Sequence, residues 1–329
     1  MRGDISEYGF AFQYSGFLTA ELVTLRVWPL MPRWVSETHP PLRPILATAA
    51  GIALLSLMDA FMKTAALALG AYMAALLRAG IAFAIVAPIW LAGRPSWPAR
   101  TVMKVHATRG VVGAFMALTF FYALTKLPLA ETIAISFVAP IVSLYLAALL
   151  LGETVRPRAI WGAVLGMAGV LVIVGGKFGR GNLNDDTLLG LAAIVTSALL
   201  YAWNLVLQRQ QALVARPAEV ATFYMGIAGL TYCLAAPWLF ELPQVAELGD
   251  VAVGAALTVA GALTMAWAYA RAEAQVLVPL EYSGFVWASL FGWMLLGETV
   301  TWTAVGGAAL IVLGCWIATT RRRTEQSAL

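Results

Sequence analysis

The sequence is poor in charged residues. Asp, Glu, Lys and Arg make up 12% of its 329 residues, about half of the roughly 25% that a soluble domain carries. Hydrophobic residues account for 61%, and the mean hydropathy is +0.82. Because so few charges cannot cover a globule of this size, the composition excludes a soluble enzyme and a disordered chain. It predicts a membrane protein that crosses the bilayer several times.

Cysteine and histidine are also scarce, with two residues of each. Cys233 and Cys315 lie within apolar runs, so their positions predict neither a disulfide nor a metal site. Two histidines cannot supply a multi-histidine metal centre, and His106 has no evident partner in the sequence. The glycine-rich segment 174–181 lacks the GxxxxGK[ST] spacing of a phosphate-binding loop. These absences predict no metal and no cofactor, and they weigh against an enzyme.

The basic residues form short flanks between the apolar runs. The net charge is +4, and most Lys and Arg residues fall on one side of the predicted membrane. Because positively charged loops stay in the cytoplasm, this bias predicts an inner-membrane protein with both termini cytoplasmic and no nucleic-acid partner. Arg109, near the start of one span, is expected to face lipid phosphates.

Ten segments are long and apolar enough to cross a membrane. A bilayer core about 30 Å thick needs about 20 residues in a helix. Six runs contain no Asp, Glu, Lys or Arg, and four more are interrupted by single ionisable residues. Transmembrane β-strands are excluded because they alternate in polarity over about 10 residues. The predicted spans are 44–63, 71–93, 106–126, 132–152, 159–176, 187–208, 220–240, 251–270, 275–296 and 299–320.

The second half of the sequence repeats the first. LLGETV occurs at 150–155 and again at 295–300, an offset of 145 residues. With this offset, 11 of 20 positions match between 150–169 and 295–314. The same offset aligns Asp59 with Asn204, so the repeat covers separate regions of the chain without gaps.

Each repeat contains five predicted helices, and an odd number makes the second repeat enter the membrane from the opposite side. The predicted fold is therefore all-α, with ten transmembrane helices in two inverted five-helix repeats. Met31 is an alternative start of translation. The predicted segments are a cytoplasmic tail at 1–43, repeats at 44–176 and 187–320, a connecting loop at 177–186 and a C-terminal tail at 321–329.

Two related stretches resemble a known family. FFYALTKLPLAETIAISFVAPIVSLYLAALLLGETV at 120–155 and WAYARAEAQVLVPLEYSGFVWASLFGWMLLGETV at 267–300 are similar to the EamA-like members of the drug/metabolite transporter superfamily. The resemblance covers about residues 44–320. The PLEYSG segment at Pro279–Gly284 looks most like a branch with uptake proteins for S-adenosylmethionine and riboflavin. The resemblance implies a central cavity between the repeats, alternating access and a small metabolite as substrate.

The ionisable residues inside the spans are the first candidates for a site, because a charge in the membrane is costly. The guanidinium of Arg78 stays charged and can hold a carboxylate through two hydrogen bonds. Alternatively, Arg78 forms a structural ion pair with Asp59 or Glu281. Asp59 in turn stands four residues before Lys63, a spacing that allows a local ion pair. Asp59 is therefore a candidate either for a structural ion pair or for a site that couples transport to an ion.

Further candidates come from the repeat and from helix-breaking residues. Glu281 follows Pro279, which removes a helical hydrogen-bond donor and can open the backbone. The repeat aligns Tyr122 with Trp267, which predicts a pair of aromatic cavity walls. The predicted substrate-binding set is Arg78, Asp59, Glu281, Tyr122, Trp203, Asn204, Trp267 and Tyr282.

Two glutamates follow glycines at repeat-equivalent helix ends. Inverted symmetry places Glu153 and Glu298 at opposite membrane faces, where each is a candidate gate or interface carboxylate. The alternative interpretation is that both are ordinary polar helix termini.

The sequence therefore predicts a secondary transporter for a small organic metabolite, such as an amino acid, an S-adenosylmethionine-like compound, a vitamin or a drug-like molecule. A membrane enzyme and a channel are the alternatives. The expected partners are the substrate, the lipid bilayer and a coupled proton or counter-substrate, and the expected assembly is a monomer or a homodimer.

Overall fold

A computed structural model describes residues 42–139, 141–143, 145–146, 157–178, 184–212, 214–243, 248–269, 271 and 280–319. All regular secondary structure in these ranges is helical. A single helical turn lies at Ala236–Leu239. The longer helices are α1 Leu42–Leu69, α2 Ala71–Ala92, α3 Arg100–Lys126, α4 Leu129–Ser136, α5 Pro157–Phe178, α6 Asp185–Ala212, α7 Pro217–Cys233, α8 Leu248–Tyr269, α9 Gly284–Leu296 and α10 Trp302–Thr319.

Five of these helices are long and apolar enough to cross a membrane by length and composition. They are α1, α2, α3, α6 and α8, and their most apolar windows have a mean hydropathy between 1.4 and 2.0. Shorter apolar helices lie within α5, α9 and α10 and in the segment that begins with α4. Each predicted span overlaps a helix of the described chain, and the prediction of an all-α polytopic membrane protein is confirmed.

The helices of the two repeats pack reciprocally. By the 145-residue offset, the repeat equivalents are α1 and α6, α2 and α7, α3 and α8, and α5 and α10. Helix α1 packs against α8, and its equivalent α6 packs against α3. Helices α2 and α7, α4 and α9, and α5 and α10 pack against each other. Such reciprocity is what a two-fold relation between two halves produces, as predicted for an inverted repeat.

Helices α5 and α10 meet through glycines that match between the repeats. A Cβ atom on Gly169 would lie 2.5 Å from the carbonyl oxygen of Gly307, and one on Gly314 would lie 2.6 Å from that of Gly162. Small residues allow helices in a membrane to approach this closely. Glycines that match between the repeats, a few residues after the two LLGETV segments, therefore form the contact between the fifth helices.

The fourth helix of each repeat is interrupted at the same place. Helical geometry gives way to a turn at 137–138 in the first repeat and at 282–283 in the second, positions separated by the repeat offset. The Val138 amide donates to the Ile135 carbonyl at 3.2 Å and the Ser283 amide to the Leu280 carbonyl at 2.9 Å. Both bonds have the tighter three-residue spacing of a 3₁₀ turn. Interrupted helices of this kind commonly form the binding sites of transporters.

The glycine contact yields a test with a neighbouring control. We expect Gly307→Ala to destabilise the protein, because its Cβ would lie 2.5 Å from the Gly169 carbonyl oxygen and overpacking costs about 1–3 kcal/mol. The control is Gly306→Ala, where a Cβ meets nothing within 4 Å. Thermal unfolding in detergent should show a melting temperature lower by a few degrees for Gly307→Ala alone. Equal shifts for both variants would contradict the close contact.

Candidate functional site

A cavity of about 700 Å³ lies between the two repeats, within the size range of small-molecule sites. One face of α6 contributes Ser197, Tyr201, Leu205 and Gln208, spaced at three or four residues. This spacing places all four on one side of the helix. Comparable stripes of α1, α3, α7 and α8 complete the walls, together with one residue of α2 and the two interrupted helices.

The cavity lies on the symmetry element of the repeat. Ser56 and Tyr201 line it from equivalent positions of α1 and α6, and Phe120 and Met265 from equivalent positions of α3 and α8. The two helix interruptions also meet there. The rings of Phe137 and Tyr282, which are repeat equivalents, pack edge to face with centroids 5.3 Å apart. Both repeats therefore contribute the same structural positions to one cavity.

Arg78 projects into this cavity from α2. It is 7% exposed, and its Nη1 donates to Thr258 Oγ1 at 3.3 Å. One face of the guanidinium lies 5.0 Å from the centre of the Phe121 ring. Its buried Nε has no hydrogen-bond partner in the described chain. Buried donors are normally paired, so Arg78 has hydrogen-bonding capacity that these residues leave unused.

Asp59 lines the same cavity from α1 and is half-buried. Within the described ranges no ion pair or hydrogen bond joins it to Arg78 or to Lys63. The predicted local pair between Asp59 and Lys63 is therefore wrong, and Arg78 and Asp59 face the same cavity without a direct ion pair. Lys63 instead finds partners on other helices.

Lys63 and Glu298 close one end of the bundle. Lys63 Nζ donates to the Leu127 carbonyl oxygen at 2.6 Å and forms an ion pair with Glu298 Oε1. The other carboxylate oxygen of Glu298 accepts the amide of Leu129 at 2.7 Å, the first residue of α4. These contacts join α1, the α3–α4 turn and the segment after α9. Glu298 is therefore more than a polar helix terminus, and its role as a gate stays a prediction.

Arg109 lies near the opposite end of α3, about 27 Å from Leu127 at 1.5 Å per helical residue. Its Nε donates to Asn204 at 3.1 Å and its Nη2 to Gln208 at 3.3 Å. Nη1 bonds to Gln211, and the guanidinium lies 4.7 Å from the Tyr224 ring centre. Arg109 is 8% exposed, so the expectation that it faces lipid phosphates is wrong.

His106 extends this polar cluster by one turn of α3. Its ring bonds to Gln211 through Nδ1 and to Glu219 through Nε2 at 3.1 Å. A neutral imidazole with its proton on Nε2 satisfies both contacts. The ring also stacks on Phe223 with centroids 4.8 Å apart. The prediction that His106 lacks a partner set is therefore wrong.

The cavity reaches the surface beside this cluster. Ala215 and Pro217, in the connection between α6 and α7, belong to its lining, and Pro217 is exposed. Lys63, Leu127 and Glu298 do not line the cavity and form a cluster at the end of α3 opposite to Arg109. These two regions are the Arg109 end and the Lys63 end of the bundle.

Several predicted site residues lie elsewhere. Tyr122, Trp203 and Trp267 are 36%, 42% and 40% exposed, and none of them lines the cavity. Tyr122 and Trp267 each follow a lining residue, and one residue turns the side chain by about 100° around a helix. Asn204 is buried and binds Arg109 rather than lining the cavity. Glu153 lies outside the described residues.

Four predicted residues do line the cavity, namely Arg78, Asp59, Glu281 and Tyr282. Their contact with a substrate stays a prediction. Sequence reasoning missed Thr258, Phe121 and Tyr224 as contacts of the two arginines. Each of these contacts depends on tertiary packing, for which the sequence around one residue gives no signal. Tyr201 and Gln208, whose positions near Asn204 on α6 predict hydrogen-bonding groups that face a cavity, do line it. Within the described ranges no three His, Cys, Asp or Glu side chains come together as a metal site.

Comparisons with known proteins agree with this architecture. The chain is 27% identical to the pseudopaline exporter CntI of Pseudomonas aeruginosa over 79% of this chain and 90% of that protein. It is 26% identical to the riboflavin transporter of Brucella anthropi over 63% of this chain and 73% of that protein. A chain of known crystal structure has the same fold, with a TM-score of 0.59, 22% identity and coverage of 84% of this chain and 96% of its own.

The sequence profile of the EamA-like transporter family matches the chain twice. The matches span residues 42–175 and 188–320, which are the two regions that pack reciprocally in the structure. Together they cover most of the sequence, so this chain belongs to the EamA-like transporter family of the drug/metabolite transporter superfamily.

Proposed function

We propose that this protein is a secondary transporter, and not an enzyme, that carries a small organic metabolite across the inner membrane by alternating access. The observation that carries the proposal is the cavity of about 700 Å³ between the repeats, whose lining includes the exposed Pro217 at the Arg109 end. The names of two relatives support a small organic substrate, since one is an exporter of pseudopaline and the other a transporter of riboflavin.

The inverted repeat supplies the motion that this function needs. When each repeat adopts the conformation of the other, the open and closed ends of a central cavity exchange. By the 145-residue offset, Gln208 occupies the position of Lys63 and Glu153 that of Glu298. When the Arg109 end closes, Gln208 and Glu153 would take the role that Lys63 and Glu298 have at the Lys63 end. Glu153 and Glu298 are accordingly proposed as gate residues at opposite ends.

The basic flanks support one orientation of this motion in the membrane. With both termini cytoplasmic, α3 begins inside, so the Arg109 end faces the cytoplasm and the Lys63 end faces the periplasm. The conformation then exchanges substrate with the cytoplasm. Asp59, which lies in the cavity without a bonded partner among the described residues, is the proposed site of proton coupling. The proposed assembly is a monomer or a homodimer in the lipid bilayer.

The transport proposal is tested with the full chain in proteoliposomes. We expect counterflow of at least one compound among labelled amino acids, S-adenosylmethionine and riboflavin, and about tenfold slower transport by Arg78→Ala and Asp59→Asn, because each removes a charge from the cavity. Trp203→Leu is the control, since Trp203 faces away from the cavity. Wild-type transport by both cavity variants would remove the assigned site, and no transport of any compound would count against the function.

The proposed gate is tested by accessibility. Ile133 lines the cavity one turn inside the start of α4, so a cysteine in its place reports access past Lys63 and Glu298. In a background with Cys233→Ser and Cys315→Ser, we expect a membrane-impermeant maleimide to label Ile133→Cys from the cytoplasmic side. Adding Lys63→Met breaks the ion pair and should raise periplasmic labelling severalfold.

The control for this experiment is Lys126→Met, which breaks the exposed pair between Lys126 and Asp186 without touching the Lys63 end. Labelling of Ile133→Cys should keep its wild-type sidedness in that variant. Periplasmic labelling that is unchanged by Lys63→Met would contradict the gate.

A further inference from the structure

The charges of the cavity break the symmetry of its walls. The 145-residue offset aligns Asp59 with Asn204, Arg78 with Phe223, Arg109 with Gly254 and Glu281 with Ser136. All four charged residues line the cavity, whereas each of their equivalents is uncharged. The helical framework is thus built with an uncharged residue at each equivalent position, so the role of each charge has to be read from its own partners.

The two arginines of the cavity differ in how the protein uses them. Arg109 donates to three side-chain amides, those of Asn204, Gln208 and Gln211. Arg78 has one long bond to Thr258, at 3.3 Å, and a buried Nε without a partner in the described chain. Arg109 is therefore a structural cation, and Arg78 is the cation with donors left for a ligand.

Asp59 is the matching anion. It opens onto the same cavity as Arg78, and no hydrogen bond or ion pair joins it to another residue of the described ranges. Both groups therefore face the cavity without a direct ion pair between them. The intervening walls are largely aromatic, formed by Phe120, Phe121 and Tyr201.

We propose that the cavity selects a zwitterionic metabolite with an apolar or aromatic body, whose carboxylate binds Arg78 and whose ammonium group binds Asp59. This inference rests on the proposed transport function and names its substrate class. A guanidinium with one face on a ring presents its edge to a carboxylate, and the aromatic walls accommodate the body of the ligand. Glu281 and Tyr282 line the cavity as well.

The physical reason for a zwitterion is charge compensation on both sides. A purely cationic ligand would leave Arg78 without a counter-charge, and a purely anionic ligand would leave Asp59 without one. An uncompensated charge in an apolar interior carries a large penalty. A zwitterion compensates both groups and adds no net charge, so it should bind more tightly than either half of itself.

The experiment compares matched ligands on the purified full chain in nanodiscs. Phenylalanine and leucine are the zwitterions, phenethylamine and isopentylamine lack the carboxylate, and 3-phenylpropionate and 4-methylpentanoate lack the amine. Binding is measured by isothermal titration calorimetry and by thermal stabilisation. We expect at least one amino acid to bind about tenfold or more tightly than its amine and its acid, as the loss of a charged hydrogen bond implies.

Variants should change the preferred ligand class as well as the affinity. In Asp59→Asn, which introduces the residue of the equivalent position, the acid should bind as well as the amino acid. In Arg78→Gln, the amine should bind as well as the amino acid. Asp186→Asn is the matched control, because its carboxylate is exposed and bonded to Lys126, and the wild-type preference should persist.

The proposal is overturned if an amine or an acid binds the wild-type protein as tightly as its amino acid, or if none of the six compounds binds. It is also overturned if Asp59→Asn and Arg78→Gln keep the wild-type order of preference. Uptake of neutral riboflavin into proteoliposomes distinguishes a failure of the substrate class from a failure of the transport function. Riboflavin transport combined with indifference to zwitterions would overturn the substrate class and leave the transport function standing.

Discussion

The cost of a charge inside an apolar bundle is the constraint on which this structure depends. Lys63 meets this cost with a carbonyl oxygen and the carboxylate of Glu298, and Arg109 meets it with three amides. Arg78 and Asp59 are compensated far less by the described chain. Because unpaired charges are expensive in a membrane, the completeness of each partner set separates charges that hold the bundle together from charges placed for a ligand.

The fold follows from one-dimensional features of the sequence. Bilayer thickness sets the length of an apolar helix, and the 145-residue offset between the LLGETV segments indicates two equivalent halves. The reciprocal packing of α1 on α8 and of α3 on α6 then follows from the two-fold relation alone. Even the glycines that match between α5 and α10 serve one contact, because a symmetric interface needs the same small residues on both sides.

The partners of individual side chains could not be predicted in the same way. Sequence proximity favours Asp59 as the partner of Lys63, yet the chosen partner is Glu298, 235 residues away. Helix rotation has a similar effect at the cavity wall. Phe121 lines the cavity and Tyr122 does not. Successive side chains of a helix point about 100° apart, and the neighbouring helices decide which of these directions faces the cavity. Both choices are made by tertiary packing, which hydropathy and spacing leave undetermined.

Duplication explains how a symmetric motion can serve an asymmetric chemistry. The walls of the cavity are equivalent pairs, such as Phe137 and Tyr282, and these pairs support the exchange of the two ends. At each charged position only one of the two repeat equivalents is charged, and the uncharged equivalents include Asn204 and Phe223. A change in charge at these positions alters what the cavity binds and leaves the reciprocal helix contacts intact. The proposed motion therefore rests on the repeats that the whole family shares, whereas the proposed substrate class rests on Arg78 and Asp59 of this chain.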